Sequence, residues 1–294
     1  MRLRFQEEAL DLLRGAIDIH IHSAPDLYCR ILNDIELARH AKEMEMRAIL
    51  IKNHFNETAS RAQVASAEAD FPVFGGIALN LSVGGLNPHA AEVALKLGAK
   101  TVWMPTLHAR KFVMDKSHVA NLAGEIRDGL EGIYLLNDDG SLREDLYPIL
   151  DLIAEWDSSL ATGHVSKEEA KVVVAEAAKR GVKKIVVTHP LASFVGYGVD
   201  DMKEILDLGA TYLEHTFNDT TRQVSHPITR EALFTGIKAM GTEHSIMSTD
   251  SGQWLNPLPV QQMGIYIQDM LNFGFSAQQI RTMVSDNPAT LLGL

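Results

Sequence analysis

The sequence predicts an α/β fold, a (β/α)8 TIM barrel, on three observations. Short apolar runs alternate with helical patterns along the chain, as expected of βαβ units around a parallel sheet. At 294 residues the chain suits one domain, 1–294, since barrels of this kind commonly take ~250 residues. Histidines and an aspartate recur at the C-terminal ends of the predicted strands, where barrels carry their active sites.

The elements follow in order. The N-terminal MRLRFQEEALDLLRG carries Gln6, Glu7, Glu8 and Asp11 and reads as an amphipathic helix, not a secretory leader. Strands are expected over 16–22, 48–53, 73–79, 101–104, 159–164, 184–189, 211–215 and 245–250. Gly15, Gly98, Gly181 and Gly209 each precede such a run, where a helix ends. Helices are expected over 33–46, 57–69, 167–180 and 227–240, with Asn56 and Ser166 as N-caps of two of them. The fourth and fifth strands are about twice as far apart as other neighbours. The interval 107–156 is therefore an elaborated loop over the barrel mouth, with Asn137-Asp138-Asp139-Gly140 as a hairpin tip and a helix over 142–156. An open, doubly wound nucleotide-binding sheet fits less well. Its Gly-rich first turn is replaced by His-Ser-Ala-Pro-Asp, and Gly84-Gly85 lacks the Lys-Ser/Thr of a phosphate loop.

Composition narrows the partners. Hydrophobic residues make up 46% and charged residues 22%, enough for a substantial core without staples. A formal charge of −11 disfavours nucleic acid and anionic membranes, while leaving room for a local basic pocket. Cys29 is the one cysteine, so neither an intrachain disulfide nor a cysteine zinc cluster can form. No apolar run approaches the ~20 residues of a membrane span. A cytoplasmic protein acting on a small molecule is the expectation, with a homo-oligomer, by default a dimer, as its assembly.

Ile17-Asp18-Ile19-His20-Ile21-His22 carries the strongest chemical signal. Residues two apart on a strand share a face, so His20 and His22 project together and offer half of a zinc-type coordination sphere. Of the 12 histidines, His54, His164, His189 and His215 also fall at or just beyond strand ends. His40 and His118 lie on helices and read as solvated; His244 sits at the opposite strand end and reads as structural. Asp250 ends the eighth strand, and in a closed barrel that strand neighbours the first, which places the carboxylate beside His20 and His22.

These residues together resemble the amidohydrolase superfamily: His-x-His on the first strand, His on the fifth and sixth, and Asp on the eighth. The C-terminal Asp-Asn-Pro-Ala-Thr-Leu-Leu-Gly-Leu is similar to the final helix of many members. The resemblance spans essentially the whole chain. It implies that His20, His22, His164 and Asp250 ligate a divalent metal, and that His189 binds a second ion or hydrogen-bonds substrate or the nucleophilic water. It implies that Asp250 shuttles protons. The expected metal is zinc, one ion or two, with Mn, Fe or Ni also accepting these ligands. The implied chemistry is hydrolysis of a C–N (amide or cyclic amide) or lactone bond by metal-activated water. The alternatives are metal-dependent decarboxylation of a small carboxylic acid, phosphoester cleavage, or a non-catalytic ligand-binding barrel.

One departure concerns the fourth strand, Thr-Val-Trp-Met-Pro-Thr, which lacks the carboxylated Lys or the Glu that bridges two metals in binuclear members. Lys52, of the same parity as His54, has three readings: a contact to substrate or to the ligands, a carboxylated bridge, or an ion pair with Glu214. One metal is favoured. Arg30 could clamp a carboxylate, and Lys52, His54, Glu214 and His215 complete the candidate substrate-binding set, with Glu214 and His215 also placed to support the ligands.

Overall fold

A computed structural model describes residues 5–115 and 130–294; His118 and part of the expected 107–156 elaboration lie outside the described residues. The strands are β1 (Ile17–His22), β2 (Ala48–Lys52), β3 (Val73–Phe74), β4 (Gly76–Ala78), β5 (Thr101–Trp103), β6 (Ser159–Ala161), β7 (Lys184–Thr188), β8 (Tyr212–Thr216) and β9 (Ser245–Ser248). All pair in parallel, in the orders β1-β2-β3 and β4-β5-β6-β7-β8-β9. Around them run α1 (Glu7–Leu13), α2 (Asp34–Glu43), α3 (Ala59–Ala69), α4 (Pro88–Lys96), α5 (Arg110–Met114) and α6 (Leu146–Glu155). The second half adds α7 (Lys167–Lys179), α8 (Val199–Asp207), α9 (Arg230–Met240), α10 (Pro259–Asn272), α11 (Ala277–Arg281) and α12 (Asn287–Leu292). This is the predicted (β/α)8 barrel. None of the described helices is long and apolar enough to cross a membrane.

The third barrel strand is the one that departs most from expectation. It divides at Gly75: β3 pairs with β2, and β4 pairs with β5. Thr58 joins the two sheets there. Its hydroxyl donates to the Ile51 carbonyl (2.7 Å) and accepts the Gly76 N–H (2.9 Å), while its own N–H donates to the Gly76 carbonyl (2.9 Å). A Cβ at Gly75 would collide with the Thr58 carbonyl, so this close approach requires glycine. Because the Thr58 hydroxyl is committed to the strands, α3 starts at Ala59 without a side-chain cap, and Asn56 is not its N-cap. Ser166 does cap α7, in a reciprocal capping box with Glu169. The 137–140 turn forms, with Asn137 N–H donating to Ser141 O at 2.8 Å and Leu136 bridging Leu142.

The eighth strand position closes on the first. Asp250 N–H donates to His20 O (2.8 Å) and His22 N–H to Ser251 O (2.7 Å), while Asp18 Oδ2 accepts the Thr249 hydroxyl at 2.6 Å. Burial lifts the Asp18 carboxyl to about 7, against the opposing pull of the Thr249 and His20 hydrogen bonds. Inside, Ile17, Ile19, Leu50, Trp103, Val186, Tyr212 and Ile246 fill the lumen, and Leu291 and Leu292 of α12 stopper its base. Asn287 holds that stopper by donating to the carbonyls of Thr242 (2.9 Å), Glu243 (3.2 Å) and Ser245 (2.8 Å). The same inward columns turn polar towards the other end, which concentrates chemistry at the C-terminal mouth.

Candidate metal centre at the barrel mouth

β1 carries His20 and His22 into the mouth by an irregularity the alternation alone does not show. Its register with β2 shifts between Asp18 and Ile21, so Ile17 and Ile19 face the lumen while Ile21 packs into the outer layer. His20 is fully buried and His22 borders a cavity of about 200 Å³, together with His54, His164, His189 and Asp250. His164 reaches the rim because β6 stops at Ala161 and Gly163, at φ +61°, packs where a Cβ would strike the Met104 carbonyl. His189 (φ 54°) and Asp250 (φ 50°) also sit in the left-handed region, just past β7 and β9. For non-glycine residues that conformation costs of order 1–3 kcal/mol, and it marks these two as positions where backbone comfort yields to side-chain aim.

Asp250 is the hub. Its Oδ1 lies 3.0 Å from His22 Nε2 and 3.2 Å from His20 Nε2, and its Oδ2 lies 3.9 Å from His189 Nε2 and accepts Asn218 Nδ2 at 3.0 Å. Burial alone would raise the Asp250 carboxyl, but the facing histidines hold it well below the usual range. Two further carboxylates orient the rings from behind. Glu214 Oε1 takes His20 Nδ1 at 2.9 Å and the Ser248 hydroxyl at 2.8 Å; Asp219 takes His189 Nδ1 at 3.1 Å and the Thr216 hydroxyl at 2.7 Å. Both histidines thus present Nε2 to the centre, the arrangement that second carboxylates impose on metal-ligating imidazoles. Burial and the Lys52 charge press the His20 pKa down, yet Glu214 and Asp250 prevail and lift it to about 9. Burial holds His22, His54 and His164 well below the ordinary histidine value, so they are neutral at pH 7.

These residues fit a divalent cation. His20, His189 and Asp250 each offer a ligand atom, and the three atoms lie within 4.8 Å of one another. His22 shares the same carboxylate oxygen, and the His164 ring lies 5.3 Å from that of His189, with the buried Nδ1 atoms of both His22 and His164 lacking a partner among the described residues. Imidazole nitrogens around a carboxylate are the donor set that zinc and its neighbours prefer, and an ion would take the place of the His20 Nε2 proton.

The remaining candidates are placed as follows. Lys52 is buried with Nζ 3.0 Å from His20 Nε2 and 5.3 Å over the Trp103 ring; the ion pair with Glu214 does not form, and Lys52 does not line the cavity. Burial lowers its pKa to about 8 against the pull of Asp250 and Glu214. His54 stacks on His22 at 4.8 Å and is fixed by the Thr106 hydroxyl (2.8 Å). Arg30 lines the cavity. Glu214 lies beneath His20 and away from the cavity lining. His215 departs most: it shares parity with Leu213 and faces the outer layer opposite Met247, outside the cavity. Asn218, Asp219, Gln253 and the aromatic walls Phe112 and Phe194 were not anticipated. The polar Asn218-Asp219-Thr220 run, one residue past the end of β8, is the sequence signal that could have marked the first two.

The fold is that of solved (β/α)8 barrels, to which the chain is similar over nearly its whole length. A probable dipeptidase, PvdM, of Pseudomonas aeruginosa is 10% identical at a TM-score of 0.62, over 98% of this chain and 97% of that one. A probable 2-pyrone-4,6-dicarboxylic acid hydrolase of Acinetobacter baumannii, with citric acid bound, is 11% identical at 0.58, over 95% and 100%. An amidohydrolase of Burkholderia multivorans with bound zinc is 11% identical at 0.57, over 95% and 99%. No curated protein matches the chain. The chain belongs to a family of unknown function, DUF6282, whose model matches residues 15–214. That span includes His20, His22, Lys52, His54, His164 and His189, and ends before Asp219 and Asp250.

Proposed function

We propose that this protein is a metal-dependent hydrolase that cleaves a C–N or lactone C–O bond of a small molecule. The observation that carries this reading is the convergence of His20, His189 and Asp250 within 4.8 Å beside a cavity at the barrel mouth. The hydrolase names borne by the similar barrels support it. The cation we assign is zinc, with Mn, Fe or Ni as substitutes, held by His20, His189 and Asp250 and flanked by His22 and His164. When bound, such an ion supplies Lewis acidity and brings a water pKa towards ~7.

The chain's own residues then divide the remaining work. Asp250 holds its charge between His20 and His22 and is placed to accept a proton from the attacking water and return it to the leaving group. Asp219 and Thr216 fix His189 at Nδ1 and so turn its Nε2 to the centre, where it would hold the ion. Lys52 keeps a positive charge against His20 and tempers the local excess of carboxylates. Phe112 and Phe194 exclude water from one side.

Metal analysis of purified protein and of His20→Ala and His189→Ala variants tests the centre: wild type retains a stoichiometric divalent ion and both variants lose it. Unchanged metal content in the variants defeats the assignment. A panel of lactones, amides and cyclic amides tests the chemistry; a metal-loaded protein that releases CO2 from small acids and hydrolyses none of the panel overturns it.

A further inference from the structure

We infer that Arg30 anchors a carboxylate carried by the substrate, so that the site takes small organic acids with an apolar body. The substrate role rests on the hydrolase reading above; the anchor itself is read from the surroundings of Arg30. Its side chain is only 3% exposed, and that of its partner Asp26 is wholly buried. Asp26 Oδ2 accepts only Nε, at 2.8 Å, while Oδ1 accepts the Tyr28 N–H at 3.2 Å. The two terminal nitrogens of the guanidinium have no protein acceptor among the described residues, although Arg30 lines the cavity. Four of the five N–H donors of this mostly enclosed cation are thus left open to the cavity, and two parallel N–H groups match a carboxylate.

The fork is also fixed relative to the reacting centre. Arg30 forms a backbone bridge to Gln253, Ile31 N–H donates to Gly252 O at 3.0 Å, and Gln253 Nε2 donates to the Asp250 carbonyl at 2.8 Å. The Arg30 guanidinium lies 5.4 Å from the Tyr28 ring, which limits its swing. Leu107, Phe112, Phe194, Val224 and Trp254 give the wall an apolar side, interrupted by Gln223, Ser225 and Gln253. A lone fork, already partly neutralised by Asp26, suits a singly charged planar anion better than a phosphate dianion.

Calorimetry on the full-length, metal-loaded protein tests the anchor with three probes: phenylacetate, its neutral isostere phenylacetamide, and inorganic phosphate. Phenylacetate is expected to bind more tightly than phenylacetamide. Arg30→Gln should weaken phenylacetate at least about tenfold and leave phenylacetamide unchanged within about twofold. Arg30→Lys, which keeps the charge and loses the fork, should recover part of that affinity, and it decides the matter if Arg30→Gln does not fold. Equal losses for acid and amide, no loss for either, or phosphate binding more tightly than phenylacetate in an Arg30-dependent way would each overturn the inference. Chelator-treated protein separates the two readings. An Arg30 effect in a protein that takes up no metal sinks the hydrolase alone, and an active, metal-loaded enzyme indifferent to Arg30 sinks the anchor alone.

Discussion

His215 offers the sharpest measurement of how this barrel divides its histidines. It lies on the outer side of β8, with both ring nitrogens buried and unpartnered among the described residues, and burial, opposed by Glu214, lowers its pKa to about 3 from an ordinary 6.5. The sign follows from linkage. The unfolded chain binds this proton more readily, so the folded state is at full strength above pH 6.5 and loses stability as pH falls towards 3. At 1.36 kcal/mol per pKa unit, the loss is about 2 kcal/mol at pH 5 and approaches about 5 kcal/mol near pH 3. His215→Leu removes that proton site and also an imidazole N–H whose unmet hydrogen bond costs about 1–3 kcal/mol. Denaturant unfolding of both proteins, metal-free, between pH 5 and 8 isolates the term, because every other titrating group is shared. The variant should gain on wild type by about 2 kcal/mol between pH 8 and pH 5. Parallel stability curves would refute the placement, since a water-exposed or cavity-lining His215 titrates near its ordinary value.

Other perturbations probe the centre and the scaffold separately. Asp219→Asn leaves His189 without its anionic partner, and metal affinity or kcat should fall about 10- to 100-fold in calorimetric titration and kinetics; wild-type values would show that Asp219 does not orient the ring. Asp250→Asn should abolish metal retention and reduce turnover by at least ~100-fold without loss of the native far-ultraviolet spectrum; a metal-replete, active variant excludes it as hub. Chelation should lower Tm, with metal at a hundredfold excess over Kd restoring about 2.7 kcal/mol; an unmoved Tm means the folded state holds no ion. Leu292→Ala, at the stopper of the lumen, should cost about 2–5 kcal/mol while kcat per folded molecule stays unchanged; a fall in kcat would couple the base to the mouth.

The barrel and the coincidence of His20, His22, His164, His189 and Asp250 were legible because they depend on local rules. Strand periodicity puts His20 and His22 on one face, the bulge after Asp18 turns that face to the mouth, and closure of the eighth strand on the first brings Asp250 to them. What escaped depends on contacts between distant segments. Nothing near Gly75 announces that Thr58 will stitch two sheets there and so deprive α3 of a side-chain cap. The parity of His215 was readable from its neighbour Glu214, whose inward position forces it outward, yet its closeness to a strand end suggested the mouth. The destination of Lys52 was open because a flexible four-carbon stem reaches several partners, and only packing against Trp103 and His20 selects one. Asp219 was passed over because a turn aspartate is ordinarily solvated; here the β8 terminus folds it under His189.

Leu291 and Leu292 close the base of the lumen, which leaves the candidate site facing the C-terminal mouth. On the proposed function, metal, water, substrate and product would pass the rim where Arg30 and Trp254 stand. On that reading, traffic there would run in a fixed order: an ion held by His20 and Asp250 would arrive before substrate and leave after product. An acidic product held at the rim would close the exit behind it. Slow exchange of the ion during turnover, and inhibition by the enzyme's own acid product, are then consequences of a plugged floor as much as of the chemistry above it.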